Sequence, residues 1–197
     1  MNLLAVLDEL RSVAQNGLRY ADDPYDENRY DRILRLVARC YGETFDVDSE
    51  AISERFREEL TRTHVTPAIG AQAGIFDSAN RILLQQRADT GAWCLPGGWI
   101  EPNESPASTA VRETREETGL EVRPEKLVDV YQLPPGERYG PHGQIVLLYL
   151  CSVEGGMLEH SHEGVDLAYR AIDEVTDWQN GHERFAREAN RLAQSKP

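Results

Sequence analysis

The sequence predicts an α/β domain preceded by a small all-helical module, and three observations lead to this fold class. First, apolar side chains recur at helical spacing through residues 1–64, whereas from Ala68 onward they alternate or form short runs, as in strands. Second, 197 residues are enough for one core of ordinary size and an accessory module. Third, 40% hydrophobic and 28% charged residues are typical of a globular protein. We therefore assign residues 1–64 to the helical module and residues 65–197 to the α/β domain.

The helical module contains three predicted helices. Apolar positions from Leu3 to Leu18 and from Tyr30 to Tyr41 define the first two. Gly17 is predicted to end the first helix, and Gly42 is predicted to end the second. A third helix is expected to begin near Ser49, whose hydroxyl suits a helix N-cap.

The remainder of the chain alternates between predicted strands and helices. Ala68–Arg87, in which AIGAQAGIFD and RILLQQR flank a SAN turn, is typical of a β-hairpin. Leu133–Gly143 is rich in Gly and Pro, so we expect a loop there that is either functional or merely connecting. Further strands are predicted at 127–133, 144–153 and 167–172, and helices at 105–118 and 182–194.

The formal net charge of −13 limits the partners of this protein. Such a surface repels nucleic acid and anionic membranes at long range, so we expect neither as a partner. An anionic substrate needs a cation or a local cluster of arginines to bind here. The sequence also lacks an apolar run of the roughly 18 to 20 residues that a bilayer-spanning helix requires.

The compartment is expected to be the cytoplasm. The first residues, MNLLAVLDELRSVAQ, lack the basic start of a signal peptide and carry Asp8 and Glu9, so they indicate an amphipathic helix. The three cysteines, Cys40, Cys94 and Cys151, are odd in number and far apart in apolar sequence. They are expected to be reduced, buried thiols rather than a disulfide framework or a zinc site.

Three glutamates are grouped at a spacing that matters for chemistry. If residues 105–118 form a helix, Glu113, Glu116 and Glu117 lie at i, i+3 and i+4 and share one face, where their charges repel one another. A divalent cation removes this repulsion, and carboxylate oxygens are the ligands that Mg²⁺ or Mn²⁺ prefers. Taken alone, such glutamates more often form a solvated helix surface.

The residues around these glutamates extend the pattern. Gly98, Glu104, Arg112 and Gly119 surround them in the order G-x5-E-x7-R-E-U-x-E-E-x-G-U, where U is a bulky aliphatic residue. This segment resembles the 23-residue box of the Nudix hydrolases, and all seven fixed positions agree. Thr114, at the first U position, is the one departure, and it bears on local packing rather than on chemistry.

The resemblance implies a fold and a metal site. The implied fold is an α/β/α sandwich with a mixed sheet over residues 65–197, and the implied cofactor is Mg²⁺ or Mn²⁺. Arg112 would orient the carboxylates by pairing with Glu104 or with Glu116, two partners between which the sequence does not decide. The metal ligands implied are Glu113, Glu116, Glu117 and the carbonyl oxygen of Gly98.

The implied reaction is hydrolysis of a nucleoside diphosphate linked to another moiety, X, by attack of water on one phosphorus. Many family members use an acidic residue from a loop after the box as general base. Here Glu163 is the preferred candidate because it precedes the strand-like LAYRAI, with Glu159 and Asp166 as alternatives. Arg87 ends RILLQQR, where Nudix proteins often present a basic side chain to substrate phosphates. Both Glu163 and Arg87 are also compatible with solvated surface positions.

Four further side chains are candidates for substrate contact. Tyr139 and His142 lie in the Gly/Pro-rich loop and are candidates for binding the base or X, although a solvated loop fits them as well. Trp93 and Trp99 flank CLPGG, where an aromatic face could stack on a base. For Trp93 we expect a core position instead.

Residues 12–40 resemble the N-terminal helical module of a subset of Nudix enzymes for X-linked nucleoside diphosphates. The similarity rests on AQNGL and DPYDENRY with helices around them. In that subset the better-defined activity is toward CDP-choline, giving CMP and phosphocholine, and ADP-ribose is a common broader label. Because such modules can pack against a partner subunit, we expect a homodimer, although one chain could also bury these apolar stripes by itself.

The substrate is expected to be CDP-choline, with alternatives. Pro135 lies 15 positions after Leu120, a spacing similar to that of ADP-ribose pyrophosphatases. The first alternative is therefore hydrolysis of ADP-ribose to AMP and ribose 5-phosphate. Cleavage of oxidised nucleoside triphosphates, or processing of RNA 5′ ends, which the net charge disfavours, is a second alternative. A catalytically silent, nucleotide-binding regulator is a third. The intact glutamates argue against the silent regulator.

Overall fold

A computed structural model describes residues 2–59, 67–101, 103–136 and 142–195. The chain divides into two compact units, Met1–Ala68 with Leu133–Gln144 and Ile69–Gln132 with Ile145–Pro197. The boundary predicted between residues 64 and 65 lies outside the described residues and stays a prediction.

The helices are α1 (Leu3–Tyr20), α2 (Pro24–Phe45), α3 (Ser49–Glu59), α4 (Pro106–Thr118) and α5 (His182–Gln194). The strands are β1 (Ala68–Ile75), β2 (Ile82–Arg87), β3 (Trp93–Cys94), β4 (Gly97–Trp99), β5 (Leu120–Leu133), β6 (Gln144–Gly156) and β7 (Gly164–Arg170).

The first unit contains α1, α2 and α3. Short polar residues cap these helices, and their apolar faces pack against one another. The side chains of Asn2 and Asp23 accept hydrogen bonds from the first turns of α1 and α2. α3 is capped by Asp48, whose carboxylate accepts from a backbone N–H of the first turn, and not by the predicted Ser49. The buried faces of the three helices form one hydrophobic core, made of Leu4, Leu7, Ala14, Leu34, Val37, Ala38, Tyr41 and Phe56.

Two predicted helix ends are wrong, because the glycines at these positions serve packing. α1 continues through Gly17, where a side chain would collide with the ring of Tyr30 from α2. α2 continues through Gly42, where a Cβ would lie 2.7 Å from the carbonyl oxygen of Val47. Both glycines therefore permit close approach inside the unit, a role that a local sequence pattern does not distinguish from a helix stop.

The described residues at the two ends of the Gly/Pro-rich segment contact Asn2 and Asp8, at the start of α1, within the first unit. Asn2 Nδ2 donates a hydrogen bond to the carbonyl oxygen of Pro135 at 2.6 Å, and Gly143 N donates to Asp8 Oδ2 at 3.1 Å. His142 Nδ1 lies 3.0 Å from Asp8 Oδ1. Although burial opposes ionisation, hydrogen bonds from His142 and Gly143 help to lower the pKa of Asp8 to about 2. An ionised Asp8 thus holds one end of this segment.

The second unit contains two sheets, of strand order β4-β1-β6-β5 and β3-β2-β7. The prediction that β1 and β2 pair as a β-hairpin is wrong, because the two strands lie in different sheets. Phe76 and Ile82 form an antiparallel bridge beside the turn, after which the two strands enter different sheets. β2 pairs antiparallel with β3 and β7, and it is buried at four successive positions, as expected for a strand covered on both faces.

The helices α4 and α5 pack on opposite faces of β1. Ala73 and Ile75 belong to a hydrophobic cluster with Val111 of α4, whereas a Cβ at Gly74 would lie 2.8 Å from Ala189 of α5. Because successive residues of a strand point to opposite faces, the two helices lie on opposite sides of this sheet. The predicted fold class is therefore confirmed.

The helix α4 carries the glutamates and has well-defined ends. Ser105 caps its first turn, and Gly119 ends it with a φ of 71°, a left-handed conformation that favours glycine. A side chain at position 119 would also collide with the carbonyl oxygen of Met157. Thr114 is buried, and its hydroxyl donates to the carbonyl oxygen of Ala110 at 2.7 Å. The departure from the box is thus accommodated inside the helix itself.

The cysteines follow the expectation from the sequence. Cys94 and Cys151 are buried free thiols, and Cys40 is a partly buried one. Burial raises the pKa of both Cys94 and Cys151 to about 12, so these thiols stay protonated. In the described part of the chain, no helix combines the length and the apolar character needed to cross a membrane.

Candidate active site

Arg112 is the centre of the carboxylate cluster on α4. Its Nε and Nη2 donate to the two carboxylate oxygens of Glu104 at 2.7 and 3.0 Å. Its Nη1 donates to Glu113 at 2.9 Å and to Glu116 at 3.0 Å, and Nη2 also donates to the Trp99 carbonyl at 3.2 Å. The sequence left Glu104 and Glu116 as alternative partners, and the guanidinium binds both. One cation thereby arranges three carboxylates.

Glu104 fixes the orientation of that cation. Hydrogen bonds from Arg112 and then from Thr109, whose hydroxyl donates at 2.8 Å, lower the pKa of Glu104 to about 2. The bidentate pair defines the plane of the guanidinium, which a single contact would leave free to rotate. Glu104 is thus a partner of Arg112 rather than a group that exchanges protons near neutral pH.

Glu117 lies deepest among the glutamates of α4. Its Oε2 accepts a hydrogen bond from Gly97 N at 2.9 Å, and its Oε1 accepts from Gln85 Nε2 at 3.4 Å. Burial, together with repulsion from Glu113 and Glu163, raises the pKa of Glu117 to about 7. The backbone N–H of Gly97 and the charge of Arg87 offset this shift only in part.

Glu113 lies against the chain at Gly98. A Cβ at position 98 would overlap the Glu113 carboxylate, which would then have to move aside. Burial raises the pKa of Glu113, although its hydrogen bond to Arg112 opposes that shift. The carboxylate thus lies beside the residue whose carbonyl oxygen was predicted to be a further metal ligand. Of the predicted ligands, Glu116 is the exposed one.

Glu163 and Arg87 lie beside this cluster at the junction of β2 and β7. Arg87 is paired with Gly164 across the two strands, and Ala88 N donates to the Glu163 carbonyl at 2.9 Å. The negative charge of Glu163 contributes to the raised pKa values of both Glu113 and Glu117. Its carboxylate is therefore near enough to repel both glutamates. The roles predicted for Glu163 and Arg87 stay predictions.

Arg87 and the two alternative bases, Asp166 and Glu159, make hydrogen bonds or ion pairs outside the glutamate cluster. Arg87 donates to both carboxylate oxygens of Asp89, at 2.8 and 2.7 Å. Asp166, an alternative base, pairs with Arg170 at 3.4 Å. Glu159, the other alternative, donates its backbone N–H to the Thr118 carbonyl at the end of α4.

The remaining candidates lie in different surroundings. Tyr139 lies outside the described residues. His142 belongs to the first unit, where its ring lies edge-on to Tyr41 with 5.6 Å between the ring centroids, and its role in substrate binding stays a prediction. Trp93 is buried with the guanidinium of Arg170 over its ring, as expected for a core residue, whereas Trp99 is exposed.

His182, at the start of α5, supports the site although no sequence signal marks it. Its Nδ1 accepts a hydrogen bond from Leu95 N at 3.0 Å, and its Nε2 lies 3.2 Å from the side-chain amide of Gln72, whose oxygen can accept from it when the amide is turned. Burial lowers the pKa of His182 to about 3, so the ring is neutral with its proton on Nε2. His182 thereby holds the chain that leads into Gly97 and Gly98.

Replacing His182 by Phe is expected to lower the free energy of unfolding by about 1–3 kcal/mol, because the buried Leu95 N–H loses its acceptor. The lowered pKa means that the wild type binds fewer protons folded than unfolded, so stability due to His182 is lost as the pH falls below 6.5. Urea unfolding at pH 7 and pH 5 measures both effects, with exposed His162→Phe as the control. An equal loss of stability between these pH values in wild type and His182→Phe would contradict this role.

A divalent metal fits the donor set, although the carboxylates do not form a closed cage. Among the described residues, no three Asp, Glu, His or Cys side chains converge as a ready ion site. Arg112 occupies one oxygen each of Glu113 and Glu116. The raised pKa values of Glu113 and Glu117 nevertheless indicate carboxylates that are destabilised as anions, and a cation would relieve this.

The sequence matches two family models. Residues 66–189 match the NUDIX domain model. Residues 1–56 match a model described as the UDP-X-like, N-terminal oligomerisation domain. Together the two matches cover both the box and the helical module.

Individual relatives agree with these matches. The putative ADP-ribose pyrophosphatase YjhB of Bacillus subtilis (strain 168) is 30% identical over 171 residues, which are 84% of this chain and 79% of that protein. A crystal structure of an ADP-ribose pyrophosphatase from Streptococcus suis 89-1591 is 27% identical, with a TM-score of 0.58, and covers 67% of this chain and 96% of its own. A crystal structure of UDP-X diphosphatase, 23% identical with a TM-score of 0.60, shares the fold over 98% of this chain and 96% of its own.

Proposed function

The chain belongs to the Nudix hydrolase family, and from this premise we propose that it hydrolyses the pyrophosphate linkage of a nucleoside diphosphate linked to X, with Mg²⁺ or Mn²⁺ as cofactor. The observation that carries the proposal is the pair Glu113 and Glu117, two carboxylates whose pKa values are raised beside Gly98. Carboxylates in this condition favour a divalent cation, and such a cation also binds phosphate oxygens.

The metal would be held by oxygen atoms from two elements. Glu113, Glu116 and Glu117 of α4 and the carbonyl oxygen of Gly98 on β4 would be its ligands. When bound, a divalent cation polarises the phosphoryl oxygens and lowers the pKa of a bound water. The hydrogen bond from Gly97 to Glu117 and the ion pairs of Arg112 would orient the ligands.

The remaining groups would act on the water and the substrate. Glu163 would accept the proton of the attacking water, whose oxygen forms a bond to one phosphorus while a bond of that phosphorus to the bridging oxygen breaks. Arg87 would exchange Asp89 for the substrate phosphates, which present the same pair of acceptor oxygens to its guanidinium. Arg112 and Glu104 would keep the carboxylates in register.

Two substrates are proposed from two different observations. The helical module resembles that of enzymes acting on CDP-choline, and hydrolysis would give CMP and phosphocholine. The relatives named ADP-ribose pyrophosphatase favour ADP-ribose, which would give AMP and ribose 5-phosphate. The similarity to UDP-X diphosphatase adds UDP-linked compounds to the substrates worth testing.

Turnover of a substrate panel tests the proposal. Purified protein is incubated with Mg²⁺, with and without EDTA, on CDP-choline, ADP-ribose, UDP-linked sugars and nucleoside triphosphates, and the products are identified by mass spectrometry. We expect a nucleoside monophosphate and a phosphorylated X that are lost with EDTA. Tight nucleotide binding without product, even with Mn²⁺, would instead support the catalytically silent regulator.

We further propose that two copies associate through α1. Four exposed apolar side chains, Leu3, Val6, Leu10 and Val13, are separated by three, four and three positions and form one stripe along this helix. An apolar stripe of this kind can pack against the same stripe of a second copy related by a two-fold axis. The match of residues 1–56 to an oligomerisation domain supports a second copy as the partner.

The variant Leu10→Glu is expected to convert a dimer into monomers, because a charge at the middle of the stripe would be buried between the two copies. Size-exclusion chromatography with light scattering measures the mass. Asn16→Glu is the matched control, since it adds the same charge to an exposed position of α1 outside the stripe. A wild type that is monomeric at high concentration, or a Leu10→Glu variant that stays dimeric, would refute this interface.

A further inference from the structure

The most informative group that the proposed mechanism does not use is Gln85. It lies on β2, and only 1% of its surface is exposed. The three residues before it, Ile82, Leu83 and Leu84, are fully buried apolar residues. A leucine would suit such surroundings, whereas a buried amide requires partners for its polar atoms.

One partner of Gln85 is Glu117. Gln85 Nε2 donates to Glu117 Oε1 at 3.4 Å, while Gly97 N donates to the other oxygen, Oε2, at 2.9 Å. Each oxygen of the buried carboxylate is thus contacted from a different strand. The Gly97 contact alone would leave the carboxylate free to turn about that hydrogen bond, and the Gln85 contact defines its plane.

The other face of the Gln85 side chain packs on Gly164, which follows Glu163. A Cβ at position 164 would lie 2.9 Å from Gln85 Cγ and 3.0 Å from both its Cδ and Oε1. The backbone of Gly164 is not in the left-handed region, so a side chain there is opposed by this contact and not by backbone strain. Gln85 Oε1 has no hydrogen-bond partner among the described residues, so its packing on Gly164 is what limits it on this side.

From these contacts we infer that Gln85 is a positioning residue for the metal-binding carboxylate of Glu117, and that Gly164 holds Gln85 in place. The inference rests on the proposed function in one respect, that Glu117 is a metal ligand. A buried acceptor without a partner lowers stability, so the amide is explained by what its N–H does for Glu117. Gln85 and Gly164 thereby couple the ligand to the segment that carries Glu163.

The first test is the affinity for Mn²⁺, measured by electron paramagnetic resonance on the full chain without substrate. Gln85→Leu is expected to weaken Mn²⁺ binding by about tenfold, the effect typical of losing a group that orients a ligand. Its melting temperature without added metal is expected to stay close to that of the wild type, because removal of the unpartnered Oε1 offsets the loss of the long hydrogen bond to Glu117. A purely structural role would lower the melting temperature instead.

The matched control is Gln86→Leu, at the next position of the same strand. Gln86 is only partly buried, and its amide donates to the Gly91 carbonyl at 2.8 Å, away from the carboxylates. We expect wild-type affinity for Mn²⁺ from this variant. Unchanged affinity in Gln85→Leu, or an equal loss in both variants, would overturn the inference.

The second test asks whether Gly164 affects metal binding by holding the Gln85 side chain in place. Gly164→Ala is expected to weaken Mn²⁺ binding because the added methyl group displaces the Gln85 side chain. In a Gln85→Ala background that space is free, so the same change should have no further effect. Equal losses from Gly164→Ala in the two backgrounds would show that Gly164 does not act through Gln85 and would overturn this part of the inference.

A failure of the proposed function gives a different result. A wild type that binds no Mn²⁺ contradicts Glu117 as a metal ligand. The contact between Gln85 and Glu117 is then tested by a double-mutant cycle. Urea unfolding without metal compares the wild type with Gln85→Leu, Glu117→Ala and the double variant. Additive changes in the free energy of unfolding would overturn the positioning of Glu117 by Gln85, and a coupling between the two changes would support it.

Discussion

The variant Glu117→Gln is expected to lower kcat by roughly 100- to 1,000-fold, because a neutral amide replaces the buried charge that would hold the metal. Gln keeps the size of Glu and an acceptor for Gly97 N–H, so the fold should persist. Steady-state kinetics at saturating Mg²⁺ measures the loss. An unchanged kcat would refute the metal assignment.

The stability of Glu117→Gln without added metal separates a chemical role from a structural one. Since burial raises the pKa of Glu117 from 4.5 to about 7, its ionised form destabilises the folded protein at pH 8, by up to roughly 3 kcal/mol. The variant should therefore melt at a higher temperature than the wild type at that pH. Glu121→Gln, an exposed position just after the box, should change neither kcat nor melting temperature.

Affinity for Mg²⁺ or Mn²⁺ is expected to fall by up to about tenfold per pH unit below pH 7, because the metal must displace the proton of Glu117. Between pH 8 and pH 7 the affinity should change little. Titration with Mn²⁺ at pH 8, 7, 6 and 5.5 measures this dependence. Affinity that is constant down to pH 5.5 would contradict a pKa near 7 for a metal ligand.

The raised pKa of Glu117 also determines how the stability of the protein without metal depends on pH. The folded pKa of Glu117 lies above its ordinary value, so its contribution to stability without metal is fully present below pH 4.5 and is lost as the pH rises through 7. Added metal should therefore raise the melting temperature more at pH 8 than at pH 5.5. Glu113, whose pKa is also raised, acts in the same direction.

The box was predicted from the sequence because its geometry is local. Glu113, Glu116 and Glu117 occupy neighbouring turns of one helix, so their spacing alone places them on one face. The ends of α4 were equally local, with Ser105 as the cap and Gly119 in the left-handed conformation. The partners of Arg112 were narrowed to Glu104 and Glu116 but not decided, since one guanidinium has enough donors for both.

Contacts between distant parts of the chain were beyond the sequence pattern. Gln85 and Glu117 are 32 positions apart, and Leu95 and His182 are 87 apart. Neither Gln85 within its strand nor His182 at the start of its helix belongs to a periodic pattern that marks it. Gly17 was wrongly predicted to stop a helix for the same reason. The ring that fills the space beside it belongs to Tyr30 of α2, a different element.

By itself the sequence determined the α/β fold class with its preceding helices, the helix that carries the glutamates and the family of the enzyme. These rest on periodicity and on fixed offsets, which the backbone converts directly into shared faces. Only the tertiary structure decided that β1 and β2 enter different sheets, that Asp8 holds the segment ending at Gly143, and that Gln85 contacts Glu117. The physical reason is that such contacts depend on how separate elements pack, and packing is a property of the whole core.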